Sequence, residues 1–229
     1  MNPQPQFSVV IPVFNEEGSV KRLVTAIAFA LKRFAYEIIF VDDGSTDHTR
    51  QILKELESPT INFIGFDKNK GQSSALAAGI QRAKTNYIVT MDGDFQNDPS
   101  DIPKLLRLLL KEDLDMVIGI RSKRQDSILK TVPSKIANYI IRATTNLQIT
   151  DSGCALKVMT ASTAKSLPLH GELHRFMALN AHIKGAKIKE ITVLHHPRTQ
   201  GISKYGLGRT FKVLKDLSII LFRHKTIKC

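Results

Sequence analysis

Residues 87–99 read YIVTMDGDFQNDP, and this stretch decides the fold. An apolar, β-prone run from Tyr87 to Met91 breaks abruptly at Asp92-Gly93-Asp94, the pattern of a buried strand that ends in an acidic turn. The same punctuation recurs upstream. Phe7 to Val13 (FSVVIPV) runs into Asn15-Glu16-Glu17-Gly18, and Tyr36 to Val41 stops at Asp42-Asp43-Gly44-Ser45. Ile61 to Phe66 and Met116 to Ile120 are two further apolar runs. Between them the spacing predicts helices: one starting near Glu16 and carried by Val20, Leu23, Val24, Ile27 and Leu31, one over about Thr46 to Leu56, one over Gly71 to Ala83, and one after Pro99. Strand and helix alternate through short links. The expectation is an α/β protein with a Rossmann-like, mostly parallel central sheet and helices on both faces. Ligands of such sheets bind beyond the carboxyl ends of the strands, where the acidic clusters fall.

Composition narrows the function class. The chain has 229 residues, 42% hydrophobic and 24% charged, which excludes disorder and coiled coil. No stretch approaches the roughly 20 apolar residues that span a bilayer. The opening MNPQPQFSVV has no charged segment leading into an apolar core, so a cytoplasmic location is expected. Cys154 and Cys229 lie too far apart to give a metal-ligand spacing. Charge is divided unevenly. Residues 1–120 carry 13 Lys and Arg against 16 Asp and Glu, a net −3, while residues 121–229 carry 20 against 5, a net +15. An acidic half joined to a basic half suggests a metal site beside an anion-binding surface. The anion could be a phosphorylated substrate, a nucleic acid or an acidic membrane.

Asp92, Asp94 and Gln96 form the first candidate site. In an extended D-x-D segment the two carboxylates share a face, and Gln96 continues the period of two. Hard oxygen ligands converging in this way suit Mg²⁺ or Mn²⁺ and a diphosphate. Asp42 and Asp43 form the second. A carboxylate at a strand end can accept from a ribose or a base N–H, while Ser45, Thr46 or Asp47 would cap the helix that follows. No G-x-G-x-x-G follows the first strand and no G-x-x-x-x-G-K-[ST] occurs, so neither nucleotide fingerprint applies.

The ordered set VVIPVFNEE, VDDGSTD, NKGQSSALAAGI and MDGDFQNDP resembles the inverting family-two glycosyltransferases of the GT-A fold. Within that family it is most similar to the polyprenyl-phosphate sugar transferases, such as the dolichol-phosphate mannosyltransferases and their undecaprenyl-phosphate relatives. The likeness runs from about Phe7 to Gly206. It implies a catalytic domain over 1–206, followed over 207–229 by a basic amphipathic helix and tail. It also implies that Pro12, Phe14, Glu16, Val41 and Asp43 hold the nucleotide, with Phe14 standing where many relatives have Tyr. Asp92, Asp94 and Gln96 match the metal and diphosphate site. Arg121, in Gly119-Ile120-Arg121, matches a phosphate-reaching arginine. Arg198, Ser203 and Lys204, in HHPRTQGISKYG, match an element that closes over phosphates, with Ser203 on the acceptor side. Arg175, in Glu172-Leu173-His174-Arg175-Phe176, would meet the acceptor phosphate. Asp151 is the candidate general base if one is needed, and Cys154 reads as a small core residue.

The resemblance thus implies a metal-dependent transferase that moves a sugar from a nucleotide-diphosphate sugar to a polyprenyl phosphate at the cytoplasmic face of a membrane. Asp94, Asp151 and Arg121 would carry the chemistry, and Mg²⁺ or Mn²⁺ would be the cofactor. The segment 207–229 mixes Leu214, Leu217 and Leu221 with Arg209, Lys212 and Lys215, so an anionic membrane surface is an expected partner, and a separate membrane anchor protein another. Two rival readings stand beside this one. A saccharide or protein hydroxyl acceptor would require a true base. A nucleic-acid-binding protein has only net charge in its favour, without Trp or an aromatic-basic platform, and nucleic acid is not an expected partner.

Overall fold

The computed structural model describes residues 6–121, 145, 147, 149–197, 216 and 218–220. Seven strands form one sheet. They are β1 (Phe7–Val13), β2 (Tyr36–Asp42), β3 (Ile61–Gly65), β4 (Tyr87–Thr90), β5 (Met116–Arg121), β6 (Lys157–Thr160) and β7 (Ile188–Val193), in the order β3-β2-β1-β4-β6-β5-β7. β1 pairs in parallel with both β2 and β4, β2 with β3, and β5 with β7. Only β6 runs the other way, between β4 and β5. Every residue of β1 is buried, as a strand covered on both faces must be, and its one polar side chain, Ser8, is hydrogen-bonded to Glu37 and Thr85. The helices are α1 (Val20–Ala30), α2 (Thr49–Leu56), α3 (Gln72–Arg82), α4 (Ile102–Lys111), α5 (Ala161–Ser166) and α6 (Met177–Ile183). α3 lies across β1 and β2, where Gly79 permits close approach: a Cβ there would stand 2.4 Å from Val10. One core cluster joins strands and helices, from Phe7 and Phe40 to Phe176.

The five strands expected in residues 7–121 are present, and the sheet is mostly parallel as the alternation required. Two helices start later than their apolar spacing implied. α1 begins at Val20 rather than near Glu16, and α2 at Thr49 rather than Thr46. The residues ahead of each helix are used instead to lace the two loops together. β6 and β7 were not foreseen. Lys157–Thr160 is only four residues long, and β7 shows no uninterrupted apolar run. Residues 207–229 fall outside the described residues except for 216 and 218–220, as does most of 133–149. Among the described residues no helix is long and apolar enough to cross a membrane.

Candidate active site

The carboxyl ends of β1 and β2 carry two loops that form one rim. Asn15, in the left-handed region at φ 54°, donates from its backbone N–H to Ser45 Oγ at 2.9 Å, and its Oδ1 accepts from the Thr46 N–H at 2.8 Å. The Glu16 N–H donates to Thr49 Oγ1 at 2.8 Å, and Glu17 accepts from the His48 N–H at 2.9 Å. Of Ser45, Thr46 and Asp47, the three expected cap candidates, Ser45 and Thr46 therefore bind the neighbouring loop. Asp47 does the capping, accepting from the Thr49 N–H at 2.9 Å. Gly44 sits at φ +75°, with backbone of Lys68 only 2.6 Å from where a Cβ would be, so no side chain fits there.

The rim separates the two adjacent aspartates. Asp42 is fully enclosed: it accepts from the Ser45 N–H at 2.9 Å and from Arg50 Nε at 2.7 Å. It is a structural anion. Asp43 accepts from the Lys70 N–H at 2.6 Å and the Gly71 N–H at 2.9 Å, at the start of α3. Burial pushes its carboxyl above the ordinary value, and those two N–H groups pull it back. Pro12 and Val41 are register partners inside β1 and β2, and Val41 has no exposed surface. Phe14 and Glu16 are half-buried on the rim, where Glu16 accepts from Ser19 Oγ at 3.2 Å.

The D-x-D segment corrects one expectation. β4 ends at Thr90, so Asp92 to Gln96 do not continue as an extended strand. The chain turns, with Phe95 at φ 63° beneath the Arg22 guanidinium, 4.9 Å from its ring centroid. Asp94 accepts from the Gln96 N–H at 3.1 Å across that turn, and the Gln96 side chain donates to the His196 carbonyl at 3.4 Å. The carboxylates come together through a turn, not through strand alternation. Gly93 permits it, since a Cβ there would lie 2.6 Å from Val13. Burial and the adjacent Asp94 charge push the Asp92 carboxyl up to about 6, against the pull of Lys157, Arg175 and Arg121. A half-buried Asp92 beside the charge of buried Asp94 is a donor set that a divalent cation would relieve, and the all-oxygen chemistry fits Mg²⁺ or Mn²⁺. Among the described residues no third acidic, His or Cys side chain joins them. Such a cation would therefore keep positions open for other oxygens.

The 194–197 segment is fastened to this turn. Asn97 and His195 form an antiparallel bridge, the His196 N–H donates to the Gln96 carbonyl at 2.9 Å, and His196 Nε2 lies 3.0 Å from Asp98. The chain entering Arg198 thus leaves from beside the D-x-D turn. Arg198, Ser203 and Lys204 themselves lie outside the described residues.

The third group surrounds Arg121 at the end of β5. Arg121 donates from Nε and Nη2 to the two oxygens of Asp151, each at 2.7 Å, a bidentate pair. Glu190 on β7 holds the Asp151 loop in turn, accepting from the Asp151 N–H at 3.0 Å and the Thr150 N–H at 2.8 Å. Both oxygens of the candidate base are thereby engaged. Cys154 is buried and its thiol pushed up to about 11 by that burial, which suits a core residue and not a nucleophile.

Between these groups lies a small cleft open to solvent, lined by Gln72, Asp92, Gly153, Lys157, His174 and Arg175 among others. Gln72 Nε2 donates to Asp92 at 2.8 Å. Ser73 fixes His174 by a 2.8 Å contact to Nδ1 and by accepting from its backbone N–H at 3.1 Å. Arg175 donates to Glu172 at 3.2 Å. Lys157 stands opposite Thr90 of β4 and Ile118 of β5, 2% exposed, and donates to the Cys154 carbonyl. Burial pushes its ammonium below the ordinary value, while Cys154, Asp92 and Asp151 hold it up. Sequence reading passed over Gln72, Ser73, Lys157 and Glu190. The one usable signal was a lysine inside the apolar run ALKVM.

Known proteins resemble this chain in fold and in sequence. Among solved structures, glucosyl-3-phosphoglycerate synthase from Mycobacterium tuberculosis in complex with Mn²⁺, uridine-diphosphate-glucose and phosphoglyceric acid superposes with a TM-score of 0.76 at 17% identity, over 95% of this chain and 80% of that one. The likeness shows a common GT-A fold. A dodecaprenyl-phosphate galacturonate synthase of Rhizobium johnstonii is 41% identical over 225 residues, covering 95% of this chain and 67% of that protein. An undecaprenyl-phosphate 4-deoxy-4-formamido-L-arabinose transferase of Pseudomonas fluorescens is 36% identical, covering 95% of this chain and 66% of its own. The chain thus spans about two thirds of the length of these relatives. The family model for glycosyl transferase family 2 matches residues 8–165, which hold the rim, the D-x-D turn, Arg121, Asp151 and Lys157, and the chain belongs to that glycosyltransferase family.

Proposed function

We propose that the protein moves a sugar, with inversion, from a nucleotide-diphosphate sugar to a polyprenyl phosphate at a membrane surface. The observation that carries this reading is the juxtaposition, at one end of the sheet, of the Asp92–Asp94 pair with a cleft lined by Lys157 and Arg175. An acidic pair facing cations is what a metal-held diphosphate and a second, anionic reactant require together. The names of the two relatives, both polyprenyl-phosphate enzymes, support the acceptor class. The Mn²⁺ and uridine-diphosphate-glucose of the solved neighbour are compatible with the donor class and the cofactor.

In this reading Pro12, Phe14, Glu16, Val41 and Asp43 shape the nucleotide site. Pro12 and Val41 act through the strands, and Asp43 through the backbone it holds at the start of α3. Asp92, Asp94 and Gln96 hold Mg²⁺ or Mn²⁺, which when bound neutralises the diphosphate leaving group. Arg121, aimed by Asp151 and Glu190, offers fixed positive charge to the departing nucleotide. Arg198 and Lys204 close over the phosphates, and Ser203 and Arg175 meet the acceptor. A phosphate acceptor arrives already anionic and attacks the anomeric carbon without proton removal, so Asp151 serves here as the positioner of Arg121 and not as a base. Residues 207–229 supply basic charge toward an anionic membrane, with or without a separate anchor protein.

The test has two stages. Sugar nucleotides are screened for Mn²⁺-dependent thermal stabilisation, since a ligand of the folded state raises its melting point. The best donor, radiolabelled in its sugar, is then incubated with a polyprenyl phosphate. Label in the organic phase as an acid-labile lipid is expected. Label appearing only on a saccharide or protein acceptor would replace this reading with the hydroxyl-acceptor one.

A further inference from the structure

Lys157 is a buried cation of the cleft that has so far been given no contact of its own with a reactant. An ammonium carries three donors. Among the described residues the Cys154 carbonyl is its hydrogen-bond partner, which leaves two donors to account for. Asp92 and Asp151 act on it through space, and no described carboxylate forms an ion pair with it. A cation 98% enclosed and so thinly bonded is costly unless something else satisfies it. Its surroundings indicate what that is. Lys157 lines the cleft together with Arg175, His174 and Gln72, and the small residues Gly153 and Ala155 beside it leave room for a ligand. Among the described residues, none of those lining this cleft comes from the rim after β1 or β2, and the cleft meets the donor side at Asp92.

We propose that Lys157 is the floor of the acceptor-phosphate subsite, its ammonium donating to a phosphate monoester that enters past Arg175. The inference rests on the polyprenyl-phosphate reading and adds to it a ligand that comes from the sheet itself. Anchored by β6 between β4 and β5, Lys157 fixes how deep the phosphate sits, while Arg175 on the short 172–176 segment clasps it from above. The phosphate oxygen is thereby held beside Asp92, where the sugar carbon would arrive.

Farnesyl phosphate, a short polyprenyl phosphate, and inorganic phosphate are titrated into the full chain by calorimetry, with chelator present. Mn²⁺-dependent binding of the donor is measured separately. Lys157→Gln keeps a donor for the Cys154 carbonyl and removes the charge. It should weaken farnesyl phosphate roughly 10- to 100-fold, the worth of a charge-assisted hydrogen bond, and leave donor binding within about twofold. Lys157→Arg should recover most of the loss. Unchanged farnesyl phosphate affinity in Lys157→Gln overturns the assignment. So does a loss confined to donor binding, which would make Lys157 a prop for Asp92. A wild-type protein that binds no farnesyl phosphate overturns the polyprenyl-phosphate reading and this inference together, which separates the two failures. Should Lys157→Gln not fold, the Lys157 side-chain NMR signal of the wild type decides, since no shift on adding farnesyl phosphate overturns the assignment.

Discussion

The two walls of the cleft use charge differently. On the β1–β2 side, Asp42 and Asp47 are neutralised locally. Asp42 takes the N–H of Ser45, three residues on, and Arg50, eight residues on, while Asp47 takes that of Thr49. On the β4–β6–β5 side, polar groups meet across long stretches of chain: Arg121 with Asp151, Ser73 with His174 at a separation of 101 residues, and Lys157 with Asp92 through space. The first wall is assembled by its loops and the second by the sheet. The first can therefore be rigid before any ligand binds. The second holds like charges together, as the raised Asp92 carboxyl shows, and a ligand has most to add there.

The sharpest way to break this contrast is Asp94→Ala. If the second wall exists for a ligand, removing one of its carboxylates should cost transfer roughly 10³-fold or more, the scale of losing a metal-held leaving group. The metal-free protein should melt at or slightly above the wild-type temperature, because the repulsion on Asp92 is relieved. Sugar transfer and calorimetric melting, measured on the same preparation, check both halves. A variant that keeps its metal-dependent rate would remove Asp94 from the site.

The converse test falls on the first wall. Asp42→Ala leaves Arg50 paired with nothing but the Phe66 carbonyl and frees the Ser45 N–H. Breaking an ion pair whose acid is wholly enclosed should cost about 3 kcal/mol. Urea unfolding would show it as a lower midpoint with unchanged slope. Transfer by the protein that remains folded should persist, since Asp42 faces no ligand. Loss of rate without loss of stability would mean that the two adjacent aspartates had been assigned the wrong way round.

This contrast also explains what the sequence disclosed. The strand ends at Asp42, Asp43 and Asp92 were legible because an apolar run broken by acid and glycine is a local signal. The residue pattern alone could not choose between Asp42 and Asp43, and the family resemblance pointed to Asp43, because the choice depends on Arg50 reaching back and on the Lys70–Gly71 backbone arriving from another loop. The D-x-D pair was found for a partly mistaken reason. Its carboxylates approach through the Phe95 turn, which Arg22 covers, and no period of two predicts that. Lys157 left only the faint signal of a lysine inside a short apolar run and Glu190 left none, because a lysine in a four-residue strand and a glutamate in an alternating one look like solvent-facing residues until β6 and β7 are placed in the sheet.

The smallest expected effect concerns how the first wall responds to acid. Burial would raise the Asp47 carboxyl, but hydrogen bonds from Thr49 and Glu17 outweigh it and hold the group below its ordinary value. A carboxyl depressed on folding stabilises the fold at pH values above its unfolded pKa, about 3.9, and that contribution disappears as pH falls through the lower folded value. Asp47→Ala should therefore cost about 1 kcal/mol at neutral pH, typical of a lost helix cap. The gap between variant and wild type should close only below the ordinary carboxyl range, which urea midpoints taken from pH 7 down into that range would reveal. A gap that stays constant into strong acid would mean that Asp47 acts through packing. The lacing between the Asn15 and Ser45 loops would then draw its carboxylate contact from Glu17, and local neutralisation of this wall would rest on Asp42 alone.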